Sequence, residues 1–162
     1  MKPHSNETLV ERRSLSIEQW RQLGLQGDML PVTITLDGES MRPLIRRGRD
    51  RVTILPAARK LRIGDVVLFR RSPGVYVVHR VWKIREGMVR TLGDNCVNPD
   101  AWMSVSDVWG LVVKLERGGR SFRLDGKPAR AFGRCWMATY SLRRSYRLLR
   151  SSCGKVIRLL RR

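Results

Sequence analysis

Between Val32 and Leu124, apolar residues alternate with polar ones in short runs, and each run stops at a cluster of Gly, Pro, Asp or Ser. A period of two puts successive side chains on opposite faces of an extended strand, and runs this short do not build the 3.6-residue stripe of a helix. Val32, Ile34 and Leu36 alternate ahead of a turn at Ser40, residues 51–55 and 66–70 are β-branched runs, and Ser72-Pro73-Gly74 turns the chain into 75–82. Arg85-Glu86-Gly87 marks a second turn before 88–92, which leads into Gly93-Asp94-Asn95. Residues 107–116, Arg117-Gly118-Gly119-Arg120 and 121–124 read as a last hairpin. The expectation is a mainly β, antiparallel domain over residues 31–125.

Different patterns flank it. Ser16-Ile17-Glu18-Gln19 is a capping-box start for a short helix within residues 1–30, with Ile17, Trp20 and Leu23 on about one face. Asp125-Gly126-Lys127-Pro128 breaks the strand pattern, and residues 126–162 form a basic tail. From 131 to 162 there are nine basic residues and no acidic one, so +9 of the formal net charge of +19 lies there. Phe132, Trp136 and Tyr140, then Leu142, Tyr146, Leu149 and Cys153, recur at helical spacing, with Gly154 as an interruption. Such a helix packs on the β domain, lies on an anionic membrane surface, or binds nucleic acid through released counterions.

The first thirty residues hold no apolar run near the roughly 20 residues a spanning helix needs, nor a secretory leader pattern. Cys96, Cys135 and Cys153 have no metal-ligand spacing and leave one over from any pair. These features lead to an expected cytoplasmic protein without metal or cofactor, peripheral at the inner membrane face through 131–162. Cys96 reads as a packing thiol, because no partner motif points to it.

The chemistry lies in Gly38-Glu39-Ser40-Met41-Arg42-Pro43, His79-Arg80-Val81 and Gly93-Asp94-Asn95 with Asp100 beyond. A hydroxyl becomes a nucleophile at neutral pH when an imidazole takes its proton and a carboxylate fixes the imidazole's tautomer. Taken singly, each residue has a structural reading: Ser40 and the aspartates as turn formers, and His79 as a core histidine on the face of Val75, Val77 and Val81. The other histidine, His4, sits in a terminal segment without strand or helix period, which leaves His79 as the candidate base.

In this order, Ser-Met-x-Pro, Gly-Asp-Val-Val from Gly64, His-Arg-Val and Gly-Asp-Asn, the chain resembles the signal peptidase superfamily, in its branch with histidine as base. The resemblance spans roughly residues 32–113 and implies a coiled, partly closed β fold. It implies Ser40 as nucleophile, His79 as general base and Asp100 as the carboxylate that orients it. Glu39, Met41 and Asp94 become oxyanion or supporting residues, with backbone N–H groups at Ser40 and Glu39 as donors, and Gly38 allows close approach of substrate. Arg46-Arg47-Gly48-Arg49-Asp50 departs from the family's plain Gly-Asp by one inserted arginine.

The expected activity is therefore a serine endopeptidase acting on an extended peptide or protein. The competing expectations are a nucleic-acid-binding regulator of the self-cleaving repressor type and a relative without catalysis. A sequence pI near 11.5 favours the regulator. The short stretch before the β domain leaves little room for a helix-turn-helix, and such a repressor would carry lysine in place of His79.

Overall fold

The computed structural model describes residues 16–27, 30–57, 60–71, 74–146 and 149. The strands are β1 (Val32–Thr35), β2 (Arg51–Pro56), β3 (Val66–Arg71), β4 (Val75–Arg85), β5 (Met88–Leu92), β6 (Met103–Ser104), β7 (Val108–Arg117) and β8 (Arg120–Arg123). Helices α1 (Ile17–Leu25) and α2 (Lys127–Ala138) bracket them, and a 3₁₀ turn, Val105–Asp107, precedes β7. All pairings are antiparallel, in the order β1-β2-β7-β3-β4-β5-β6, with β8 on β7. The protein is mainly β, as the alternation implies. Its sheet is not closed: among the described residues β1 pairs only with β2, and β6 only with β5.

Strand alternation divides the interior. Val52, Ile54, Val66, Leu68, Val78, Val112 and Leu115 form one core, sealed by Trp20 of α1 and by Met41 and Ile45 from the turn after β1. Val67, Phe69, Val81, Val89, Val108 and Leu111 form a second. The Ser16 capping box is present, with Ser16 Oγ accepting from Gln19 N at 3.1 Å and Gln19 Oε1 from Ser16 N at 2.9 Å. Trp20 Nε1 donates to Leu30 O at 2.7 Å, tying the helix to the approach of β1.

Two elements differ from the sequence reading. β6, two residues long, is too short to leave a period, and it forms because Met103 and Ser104 meet Val89 and Met88 on β5. The last helix begins at Lys127, four residues before Ala131, with Gly126 as N-cap and a proline in its first turn, where the missing N–H is harmless. Its buried side is Gly133, Met137 and then Tyr140, while Phe132 stays half exposed. The stripe is displaced from 132/136/140 because Gly133 is the point of closest approach. A methyl group there would stand 2.5 Å from Arg80 Nη1 and 2.8 Å from Gly64 O. Residues 139–146 continue in turn and helix, with Leu142, Tyr146 and Leu149 at one stripe's spacing and all exposed. His4, Cys153, Gly154 and the rest of the expected helix lie outside the described residues.

Candidate active site

His79 lies near the middle of β4, opposite Val67 on β3, and shares the face of Val77 and Val81. Its ring is buried, 6.1 Å from the Phe69 ring in an edge contact. The next residue, Arg80, points to the opposite face, so a single strand supplies two polar groups to two separate places. Asp100 is brought to His79 by β5, where Asp100 N donates to Thr91 O at 2.9 Å and Arg90 Nε donates to Asp100 O at 2.8 Å.

His79 Nδ1 is 2.6 Å from Asp100 Oδ2, and Thr91 Oγ1 donates to that same oxygen at 2.7 Å. Arg71 Nη2 donates to Oδ1. Burial alone would raise the Asp100 pKa, but the His79 hydrogen bond and charge, the Thr91 hydroxyl and the Arg71 charge together hold it below 3.8. An ionised Asp100 fixes the proton of neutral His79 on Nδ1 and leaves the lone pair on Nε2. For His79, burial pulls the pKa down, and the hydrogen bonds and charges of Asp100 and Cys96 outweigh it, so the net shift is upward from 6.5.

Asp94 is elsewhere. Arg80 Nε donates to Asp94 Oδ1 at 2.8 Å and Arg80 Nη2 to Oδ2 at 2.7 Å, with both side chains almost fully buried. Arg80 Nη1 also donates to Gly64 O at 2.9 Å. This ion pair clamps the start of the Gly93-Asp94-Asn95 loop to the underside of β4, so Asp94 braces the loop and does not touch the imidazole. Arg143 Nη1 donates to Asp94 O at 2.9 Å and Tyr140 Oη to Val97 O at 2.6 Å, so the segment after α2 holds the same loop from outside.

Ser40 sits in a turn after β1 that Met41, 1% exposed, roots in the core. The turn closes through Arg42 N to Glu39 O at 3.2 Å and Ile45 N to Met41 O at 2.9 Å. Glu39 itself is exposed and pairs with Arg42 at 3.0 Å. Asn95 N donates to Ser40 O at 2.7 Å and Asn95 Nδ2 to Glu39 O at 3.2 Å, which fastens the serine turn to the aspartate loop. The inserted-arginine segment is held by Asp50, which accepts from Arg46 N at 2.8 Å and from Arg117 Nη2 at 2.5 Å.

Gly93 is where these parts converge. A methyl group there would stand 2.6 Å from Cys96 Sγ, 2.8 Å from Ser40 O and 3.0 Å from His79 Nε2. Ser40, His79, Cys96 and Asp100 all line one cleft of ≈ 1030 Å³, walled by Leu36, Phe69, Val77, Trp102 and Met103 among others. Among the described residues no hydrogen bond joins Ser40 Oγ to His79, and the side chain at Nε2 is Cys96. Cys96 is thus the site residue that the sequence reading set aside. Its place is directly after Gly-Asp-Asn, and the imidazole it stands beside lies seventeen residues upstream, on β4. Thr91 and Arg71, the other groups on Asp100, left no pattern at all.

No group of three or more His, Cys, Asp or Glu able to hold a metal ion occurs among the described residues. No helix among them is long and apolar enough to cross a membrane. No protein-family model matches the chain, and no characterised protein matches it.

Proposed function

We propose that this chain is a serine endopeptidase of signal-peptidase type, with Ser40 as nucleophile, His79 as general base and then acid, and Asp100 as orienting carboxylate. The observation that carries the reading is the 2.6 Å contact between His79 Nδ1 and Asp100, with Nε2 directed to the cleft that Ser40 lines. A histidine held in this way has its basic nitrogen free for a hydroxyl proton and its positive charge stabilised once formed. The open antiparallel sheet is compatible with the coiled β fold that the resemblance implies.

Two edges flank the cleft. β1 has a neighbour only on its β2 side among the described residues, and the β5 pairing of β4 begins at Arg80, leaving Val75–Val78 unpaired on that side. A substrate strand laid between Leu36-Asp37-Gly38 and Val75–Val78 finds main-chain partners on both sides and passes beside Ser40, which is recognition by strand addition. No hydrogen bond occupies the amides of Glu39, Ser40 or Met41 among the described residues, and these N–H groups are the donors for the oxyanion.

In the reaction, His79 Nε2 takes the Ser40 proton as Oγ attacks the peptide carbonyl, and His79 then gives that proton to the leaving amine. Water repeats the cycle on the acyl-enzyme. Cys96 stands beside Nε2, so the Ser40 hydroxyl approaches the imidazole next to a thiol. The test is hydrolysis of a quenched peptide library by the full chain, its Ser40→Ala and His79→Ala variants, and the double variant. Each single change should remove nearly all activity and the double be scarcely worse, because the residues act as one unit. Retained activity in Ser40→Ala sinks the assignment.

A location at an anionic membrane face is proposed alongside this activity. Its specific support is the exposed stripe of Leu142, Tyr146 and Leu149, 76%, 64% and 67% exposed, beside Arg144. Apolar side chains left in water on a basic helix suit the headgroup region better than a nucleic-acid groove.

A further inference from the structure

Cys96 is not isolated in the fold. A methyl group on Gly93 would meet both its sulfur, at 2.6 Å, and His79 Nε2, at 3.0 Å, while His79 Nδ1 is 2.6 Å from Asp100, so thiol, imidazole and carboxylate are gathered in one place. The imidazole is itself only 4% exposed, and Cys96 stands with it in the lining of the cleft. The half-buried Cys96 lines the cleft, so a small molecule reaches the sulfur. Its backbone is fixed, with Cys96 N donating to Gly93 O at 2.9 Å and the next carbonyl accepting from Tyr140 Oη at 2.6 Å.

We propose that Cys96 is a modification site for hydroperoxides, activated by His79, and that its oxidation takes the base away from Ser40. The sulfur attacks the terminal peroxide oxygen. The S–O bond forms as the O–O bond breaks, sulfur gives up two electrons, and the thiol proton passes through His79 Nε2 to the departing oxygen, which leaves as water or an alcohol. The added oxygen then stands at Nε2, where the serine proton would go. A dithiol reverses the step, returning the thiol and releasing water and the cyclic disulfide. The oxidation itself requires only the Cys96, His79 and Asp100 arrangement, whereas its effect on hydrolysis rests on the peptidase reading.

The experiment uses the full chain, dilute hydrogen peroxide and a dimedone trap for the sulfenic acid, read by peptide mass spectrometry. Cys135 is exposed and serves as reference in the same molecule. Cys96 should be trapped about tenfold faster than Cys135, although it is the less exposed thiol. His79→Gln and His79→Ala, checked for fold by circular dichroism, should bring Cys96 down to the reference rate. Equal rates in the parent, or an unchanged ratio in a folded His79 variant, overturn the proposal. In a second arm, peroxide should abolish peptide hydrolysis by the parent, dithiothreitol should restore it, and Cys96→Ala should be insensitive to peroxide whatever its starting rate. If Cys96→Ala is inhibited as strongly as the parent, the link to catalysis is wrong. A parent that hydrolyses nothing at the outset removes the peptidase reading, and the trapping rates still decide the reactivity of the thiol.

Discussion

Replacing Asp94 by asparagine should unfold this protein far more readily while leaving the His79–Asp100 pair in place. Asp94 is 1% exposed and Arg80 2%, and two hydrogen bonds of 2.8 and 2.7 Å join them. Asparagine keeps one acceptor oxygen for the guanidinium beside the Gly64 carbonyl, but it turns an NH2 donor toward it and leaves its charge unpaired in the interior. Breaking one side of a buried ion pair costs about 3–5 kcal/mol. The one hydrogen bond lost to a charged partner, about 1.5–3 kcal/mol, makes up part of that cost, and the unpaired charge makes up the rest. With a urea slope of about 2 kcal/mol/M, the unfolding midpoint should fall by about 2 M. Tryptophan fluorescence is the readout, since Trp82 and Trp136 border the small cluster under the loop. The double variant Arg80→Met, Asp94→Leu should recover most of the loss, because apolar groups of similar volume remove both charges. A midpoint for Asp94→Asn within about 0.5 M of the parent refutes the reasoning. Asp100→Asn should lower the midpoint less than Asp94→Asn does while hydrolysis drops by about 10⁴-fold, as loss of the right tautomer does elsewhere.

Other expectations can be checked on the same material. The rate should rise with pH through an inflection above 6.5, because Asp100 and Cys96 raise the His79 pKa, and Asp100→Asn should move that inflection down. In stability, the raised His79 pKa contributes below its unfolded value and is lost as pH rises through the folded one. The depressed Asp100 pKa contributes above 3.8 and is lost as pH falls through its folded value, so pH-dependent unfolding should show both flanks. Gly93→Ala should lower kcat/KM by about 10²-fold, the effect of moving a catalytic group by about 1 Å; a rate within threefold of the parent would count against the convergence at Gly93. Leu142→Glu with Tyr146→Glu should weaken binding to anionic vesicles by about 10- to 100-fold in a flotation assay, while hydrolysis of a soluble peptide continues. Binding of duplex DNA at physiological salt with vesicles ignored would favour the regulator instead.

The sheet was readable because β2 alternates over one buried face, at Val52 and Ile54, and because β3 and the start of β7, buried on both faces, stand out as continuous apolar runs. β6 was not, since two residues have no period. Ser40, His79 and Asp100 were legible as a set through their order, whereas their contacts depend on the strand pairings that bring Val67 opposite His79 and Arg80 opposite Leu92. Cys96 packs against the Leu92, Met137 and Tyr140 cluster, as a packing thiol does, while its place beside His79, far away in sequence, left no signal. The buried stripe of α2 was displaced for a related reason, because Gly133 has no side chain to register in a hydrophobic pattern and still decides which face meets Gly64 and Arg80.

The grip of Tyr140 and Arg143 on the carbonyls of Val97 and Asp94 bears on the order of events during synthesis. The sheet, with β4 and β5 that carry His79 and hold Asp100, is complete once β8 has left the ribosome. The loop from Gly93 to Asp100 then still lacks its outer supports, which arrive only with the segment after α2. A released chain truncated after residue 130 should accordingly be folded in its sheet but lack a set loop from Gly93 to Asp100, and any activity that depends on that loop would wait for the segment after α2 to dock.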